Sequence, residues 1–435
     1  MLNRRALLGS LAGASFAASG AAWAQTAPQI SGTPGGTAPF PPEVYRARRE
    51  RLMSQMGGGV AVIYSADSIE DGSKQDPDFA YLTGIIDEAG AALVLAPQER
   101  TFRHILCLRN RDPEDERYNG ERLSVGSDAE TRTGFDRVSR MSRLGGAVTS
   151  FASRAPVLHF MGPLVGPDQP VPKALTLYNQ IAARDPGVSI HNAWGLIPAM
   201  RSAKDAGEIE LMRRAISATE RGLRAAMRAV RVGMHEFELK DIIEAEFRAA
   251  GARGLAFPSI VGAGRDSAVL HYPLDNRVIQ AGDLVLCDVG AEYQYYAADI
   301  TRTFPVDGRY NPEQRHIYEM VLNAQDAGKR VCRAGVVYEQ LQLAANQVFR
   351  QAGHIDDSWH GLGHFVGLEV HDTGDYSKPL PESAIVTIEP GCYLPARGFG
   401  IRIEDEFLVT RAGCEHMSRT IPHTPDEIES WMAGR

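Results

Sequence analysis

Cysteine is scarce in this sequence: Cys107, Cys287, Cys332, Cys392 and Cys414 are the five in a chain of 435 residues. Their odd number and scattered spacing exclude a disulfide framework, and the lack of any CxxC pair argues against a thiolate zinc ribbon. Most read as small buried hydrophobes. An excess of basic charge is missing too. The formal charge is -8, and without a basic patch to meet phosphates a nucleic-acid partner is excluded. No period of about 20–50 residues repeats, which rules out a solenoid. The apolar stretch near the start is too short and too weakly hydrophobic for a membrane anchor. What remains is a globular composition, 44% hydrophobic and 23% charged, in a chain long enough for two sizeable cores.

The first residues carry an address. Asn3-Arg4-Arg5-Ala6-Leu7-Leu8 leads into Ala, Gly, Ser and Leu and ends at Ala22-Trp23-Ala24. A positive start, a short apolar run and a small-x-small site read as an export signal over residues 1–24, placing the mature protein in the periplasm or outside the cell. The paired arginines fit the twin-arginine type, with an ordinary secretory signal as the alternative. Residues 25–42, rich in Pro, Gly, Thr and Ala, read as a flexible leader.

Beyond the leader the chain divides. Over 43–195 a helix at 43–56 precedes β-type runs at 60–64, 79–83, 91–95, 104–108 and 157–160, with a helical stretch at 175–184, so an α/β amino-terminal domain is expected. It holds no catalytic constellation, and a structural or substrate-gating role is its plainest reading. Over 200–430 amphipathic helices at 205–231, 236–250, 312–331 and 338–353 alternate with strand-like runs at 284–289, 293–304, 386–389 and 400–410. That pattern predicts an α+β domain of helices packed on a curved antiparallel sheet.

Four carboxylates stand out because apolar strands deliver them. Asp288 ends Leu284-Val285-Leu286-Cys287, where an unpaired charge is costly. With a turn near Tyr293-Gln294, Asp299 lies opposite Asp288, with Cβ atoms about 5 Å apart. Two like charges so placed repel unless a cation neutralises them or one keeps its proton. Glu389, which ends Ile385-Val386-Thr387-Ile388 before Pro390-Gly391, and Glu404, in Gly400-Ile401-Arg402-Ile403, repeat the arrangement. A solvated surface residue is the bland reading of each alone; four buried together call for about two divalent cations. Histidines complete the set: His360, His364 and His371 fall within a dozen glycine-rich residues, and His271 is a fourth candidate. Ligation by oxygens with one imidazole suits Mn²⁺ or Co²⁺, and Zn²⁺ also fits.

These residues resemble a known family. Ile260-Val261-Gly262 to His271-Tyr272, Asp288-Val289-Gly290, Asp299-Ile300-Thr301-Arg302-Thr303-Phe304-Pro305, the block from His360 to Asp372, Thr387-Ile388-Glu389-Pro390-Gly391 and Gly400-Ile401-Arg402-Ile403-Glu404-Asp405 look like the pita-bread metallopeptidases. Within them they are similar to the proline-specific branch of aminopeptidase P and prolidase. Asp78-Phe79-Ala80-Tyr81-Leu82-Thr83-Gly84 resembles, more weakly, part of that branch's amino-terminal domain. The resemblance implies Asp288, Asp299 and Glu404 on one metal ion and Asp299, His364, Glu389 and Glu404 on another. It also implies Glu389 as proton shuttle, His271 and His371 as groups that orient substrate or steady the reacting carbonyl, and Arg402, His360 and Tyr393 as pocket or supporting residues. The implied substrates are proline-containing peptides and the implied assembly a homo-oligomer. Release of the residue before proline from a peptide N-terminus leads, an Xaa-Pro dipeptidase is the rival, and a peptide-binding pseudo-enzyme is the non-catalytic alternative.

Overall fold

A computed structural model describes residues 38–69 and 73–434. The expected export signal, and the leader up to residue 37, lie outside the described residues. No described helix is long and apolar enough to cross a membrane.

In the amino-terminal half, six strands form one mixed sheet in the order Arg137–Arg140, His104–Leu108, Ala92–Leu95, Val60–Tyr64, Val157–Phe160 and Ser189–Asn192. The central strands are apolar on both faces because helices cover both. One expectation fails here. Residues 79–83, read as a strand from four apolar residues and a threonine in a row, belong to the helix Pro77–Thr83. Capping decides it: Pro77 opens the helix, Asp76 Oδ1 accepts from Phe79 N at 2.8 Å, and Gly84 closes it in the left-handed region at φ 70°. A helix buried on every side has no periodicity to display.

The second half packs four long helices against antiparallel strands. Asp205 and Glu208 form a capping box that starts Ala206–Ala229; Glu236–Ala249, Pro312–Val331 and Tyr338–Ala352 follow. Leu284–Val289 runs between Ile260–Ala263 and Ile300–Pro305. Its hairpin turns at Gln294 and Tyr295, both at positive φ (49° and 76°), one residue later than expected. The two-residue turn with both φ positive follows the right-handed twist of the strands. Asp288 therefore pairs with Thr301, and Asp299 sits two residues back along the same face, a diagonal neighbour instead of a direct one. Gly290 makes this register fit, since a Cβ there would lie 1.8 Å from the carbonyl oxygen of Ala298.

The other hairpin is interrupted where it matters. Ile385–Ile388 pairs with Asp405–Val409 and Gly391–Leu394 with Phe399–Arg402. The register on both sides of the gap is the same (Ile388 opposite Asp405, Gly391 opposite Arg402), so Glu389 faces Glu404 across it. Pro390, which has no N–H for the ladder, causes the break. The single strand expected over 400–410 is accordingly two.

Gly290→Ala is expected to destabilise the protein by about 1–3 kcal/mol through overpacking, read as a lowered Tm. An unchanged Tm would refute the close approach of the two strands.

Candidate metal centre

The two hairpins and one loop bring the expected ligands together. Asp288 and Asp299 come from the first hairpin, Glu389 and Glu404 from the break in the second, and His364 from the loop before residue 385. Donor atoms of Asp299, His364 and Glu404 all lie within 4.8 Å of one another. His364 Nε2 is 3.4 Å from Asp299 Oδ2 and 3.4 Å from Glu389 Oε1. Its Nδ1 lies 3.1 Å from the carbonyl of Phe365. Donation of Nδ1–H to that carbonyl leaves the Nε2 lone pair aimed at the carboxylates.

Charge defines what the cluster needs. Asp288, Asp299 and Glu404 are buried, and each keeps one buried oxygen (Oδ1, Oδ1 and Oε1) without a hydrogen-bond partner. Burial first, then the charges of Asp288 and Glu389, push the Asp299 carboxyl well above the usual range. Glu404 is pushed up likewise by burial and by Asp299 and Glu389. Glu389 is raised to about 7 by burial, against the opposing pull of His364 and Arg402. Arg402 is the guanidinium at the cluster, with Nη2 2.6 Å from Asp288 Oδ2. One cation does not balance four carboxylates. Orphaned buried oxygens around a shared gap, with one imidazole lone pair turned into it, fit divalent metal binding.

A polar chain runs from this cluster into the pocket wall. Arg402 Nη1 donates to the Tyr393 hydroxyl at 2.8 Å, Tyr393 donates to His360 Nε2 at 2.7 Å, and His360 Nδ1 donates to the Gly361 carbonyl at 2.8 Å. Burial and the Arg402 charge lower the His360 imidazole to about 4, so it stands neutral and accepts. His271 and His371 sit at the rim of the same cavity, about 650 Å³ in volume, with Phe257, Tyr272 and Val370 as apolar lining. The His364 and His371 rings are 4.1 Å apart. All ten expected residues thus line one cavity or support its wall.

Sequence reading missed the supports. Thr301 Oγ1 donates to Glu404 Oε2 at 2.8 Å, Thr387 Oγ1 accepts from His364 N at 2.9 Å, and Glu406 Oε1 accepts from Asp299 N at 2.8 Å. Each lies two residues from a ligand (Asp299, Glu389 and Glu404 respectively), and Thr301 and Glu406 reach across to the other hairpin. The signal available was a hydroxyl or carboxyl inside an apolar strand.

Residues 210–411 match the family model "Metallopeptidase family M24", and residues 45–159 match "Aminopeptidase P, N-terminal domain". An Xaa-Pro aminopeptidase of Escherichia coli is 33% identical over 431 residues, covering 89% of this chain and 97% of that enzyme. The chain belongs to the M24 metallopeptidases. Among solved structures, Pseudomonas aeruginosa aminopeptidase PepP superposes with a TM-score of 0.81 at 32% identity, covering 91% of this chain and 98% of the other. A zinc-substituted E. coli aminopeptidase P in complex with product gives 0.80 at 30% identity, covering 91% of this chain and 99% of that one. An Xaa-Pro dipeptidase of Pyrococcus furiosus is 36% identical, over 52% of this chain and 65% of its own length. This M24 peptidase therefore belongs to the aminopeptidase P and prolidase branch, with the pita-bread domain following the amino-terminal one.

Two outcomes follow for the metal centre. Glu404→Ala and Asp299→Ala are each expected to lose bound divalent metal and at least about a thousandfold of activity, checked by elemental analysis of purified protein. Full metal content in either variant would overturn the ligand set. The second outcome concerns pH. In chelated protein the raised carboxyls make the folded state hold more protons than the unfolded one above about pH 4.5, so stability falls as pH rises toward about 7. Chelated protein should melt at a higher temperature near pH 5 than near pH 7.5, and divalent metal should reverse the loss. A Tm of chelated protein that rises over this interval would contradict the charge assignment.

Proposed function

We propose that this peptidase hydrolyses the Xaa-Pro bond at the N-terminus of peptides using two divalent ions, Mn²⁺ before Co²⁺ or Zn²⁺. The observation that carries the reading is the cluster of four carboxylates and one imidazole, short of positive charge, at the foot of a peptide-sized cavity. Asp288, Asp299 and Glu404 would hold one ion and Asp299, His364, Glu389 and Glu404 the other. Bound ions lower the pKa of water and polarise the scissile carbonyl.

The chain's own residues supply the rest. Proline's nitrogen must leave as a secondary amine, so it needs a proton. Glu389, whose Oε1 lies 3.4 Å from His364 Nε2 in the same cluster, is suited to carry one from the attacking water to that nitrogen. His271 and His371, both lining the cavity, are placed to donate hydrogen bonds to a bound peptide carbonyl as charge develops. The Arg402–Tyr393–His360 chain fixes Asp288 and one wall of the cavity without offering a mobile proton. Aminopeptidase activity is favoured over dipeptidase activity by the similarity to Xaa-Pro aminopeptidases along nearly their whole length, against about half of this chain for the dipeptidase. Export to the periplasm or beyond, inferred from residues 1–24, completes the proposal.

Side-by-side hydrolysis of an Xaa-Pro dipeptide and an Xaa-Pro-Xaa tripeptide, after chelation and reloading with Mn²⁺, Co²⁺ or Zn²⁺, tests it. The tripeptide is expected to be preferred by about tenfold or more in kcat/KM. Cleavage of the dipeptide alone would make the enzyme a prolidase. Inactivity on both with every metal would leave another pita-bread activity or a peptide-binding role.

A further inference from the structure

Among the described residues, a second group brings metal-ligating atoms as close together as Asp299, His364 and Glu404 do. One donor atom each from His354, Asp357 and Cys392 lies within 4.8 Å of the others. The backbone arranges this. The helix Tyr338–Ala352 stops at Gly353, in the left-handed region at φ 77°, and the short 3-10 turn Ile355–Asp357 follows. His354 and Asp357, three residues apart across that turn, meet with Nδ1 2.7 Å from Oδ2. Cys392 arrives from the strand Gly391–Leu394 and is fully buried.

We propose that His354, Asp357 and Cys392 form a separate site for a single thiophilic divalent ion, Zn²⁺ or Co²⁺ in preference to Mn²⁺. The donor set argues for this choice: a thiolate and an imidazole select Zn²⁺ or Co²⁺, whereas the oxygen-rich catalytic cluster also suits Mn²⁺. Three protein donors leave the fourth tetrahedral position to water. The His354 and Asp357 side chains are 17% and 35% exposed, so an ion reaches them from solvent and meets the buried sulfur behind. Burial and the Asp357 carboxylate hold the Cys392 thiol up at about 12 without a cation. Ion binding therefore expels one proton from the thiol to solvent, with no change of oxidation state.

Position gives the site a consequence. Successive residues of a strand face opposite ways, so Cys392 points toward the 354–357 turn while Tyr393 points toward His360 and Arg402. On the other flank, Trp359, two residues after Asp357, stacks on the Tyr393 ring at 5.2 Å. An ion bridging Cys392 to His354 and Asp357 would clamp both segments of the pocket wall that carry Tyr393 and His360. It would thereby link the level of Zn²⁺ to the rigidity of that wall.

Cobalt provides a readout independent of peptidase activity. Fully reduced, Mn²⁺-loaded protein titrated with Co²⁺ should develop a thiolate-to-cobalt charge-transfer band in the near ultraviolet. None of the residues assigned to the catalytic cluster is a cysteine, so exchange there gives no such band, and failure of either assignment shows separately. Cys392→Ser should abolish the band, Cys414→Ser should retain it, and the partly exposed variants Asp357→Asn and His354→Ala should weaken Co²⁺ binding by about tenfold or more. Absence of the band at saturating Co²⁺, or its persistence in Cys392→Ser, would overturn the site. Should Cys392→Ser fail to fold, unchanged Co²⁺ affinity in Asp357→Asn would overturn it equally.

Discussion

Repulsion among buried carboxylates is the constraint on which this structure turns. Asp299 and Glu404 are fully enclosed, Glu389 nearly so, and burial raises all three above their ordinary range, with neighbouring carboxylates adding to it: Asp288 and Glu389 at Asp299, Asp299 and Glu389 at Glu404, and Asp288 at Glu389. A fold that assembles such a group gives up stability at neutral pH unless cations arrive. Everything around the cluster keeps the charges close in spite of that cost. Glu404 N donates to the Thr301 carbonyl, Glu389 N to the Leu362 carbonyl and Thr387 N to the His364 carbonyl, so each ligand is tied through backbone to an element bearing another.

Hairpin register does the positioning. A side chain in a strand is placed by parity, and a slip of one residue would turn it to the other face. In the first hairpin the left-handed pair Gln294-Tyr295 and the close approach at Gly290 hold the register that puts Asp288 and Asp299 on one face. In the second, Pro390 interrupts the ladder, and Glu389 and Glu404 face each other across the break. The two hairpins meet at the Arg302 guanidinium, fully buried, which donates to the carbonyls of Thr301 and Glu404 and pairs with Asp405 at 2.6 Å.

Local chemistry explains what could be read from the chain and what could not. Asp288 and Glu389 were legible because each ends an apolar run, and Leu284–Val289 and Pro312–Val331 have the bounds that their patterns give. The turn was placed one residue early because the sequence Tyr-Gln-Tyr-Tyr contains no Gly, Asn or Asp to mark left-handed positions. The strands Arg137–Arg140 and Ser189–Asn192 escaped notice because they are edge strands, partly exposed and polar, held by parallel pairing to partners far away in the chain. The chain from Arg402 through Tyr393 to His360 joins residues named singly from the motifs; their linkage depends on strand pairing that no local window contains.

Comparison among the buried carboxylates separates structure from function. Asp405 and Asp372 are as enclosed as Asp299 and Glu404, yet both titrate below the usual range. Burial raises Asp405, but Arg302 and His416 outweigh it; burial raises Asp372, but Lys204 and Arg201 outweigh it. These two charges are satisfied by the protein itself. Asp372 also explains the amino-terminal half. Arg201 pairs with Asp372 and donates to Asp78 Oδ1 at 2.7 Å, while Lys204 Nζ reaches Asp372 Oδ2 at 3.0 Å. Gly367 must be glycine beside it, since a Cβ would fall 2.0 Å from Asp372 Oδ2. The loop that ends in His371 is therefore held from below by charges that reach back to the helix Pro77–Thr83. Asp372 and Asp405, engaged by protein cations, fix the walls of the cavity, whereas Asp288, Asp299 and Glu404 each keep one buried oxygen unpartnered for metal, Asp288 even with Arg402 on its other oxygen.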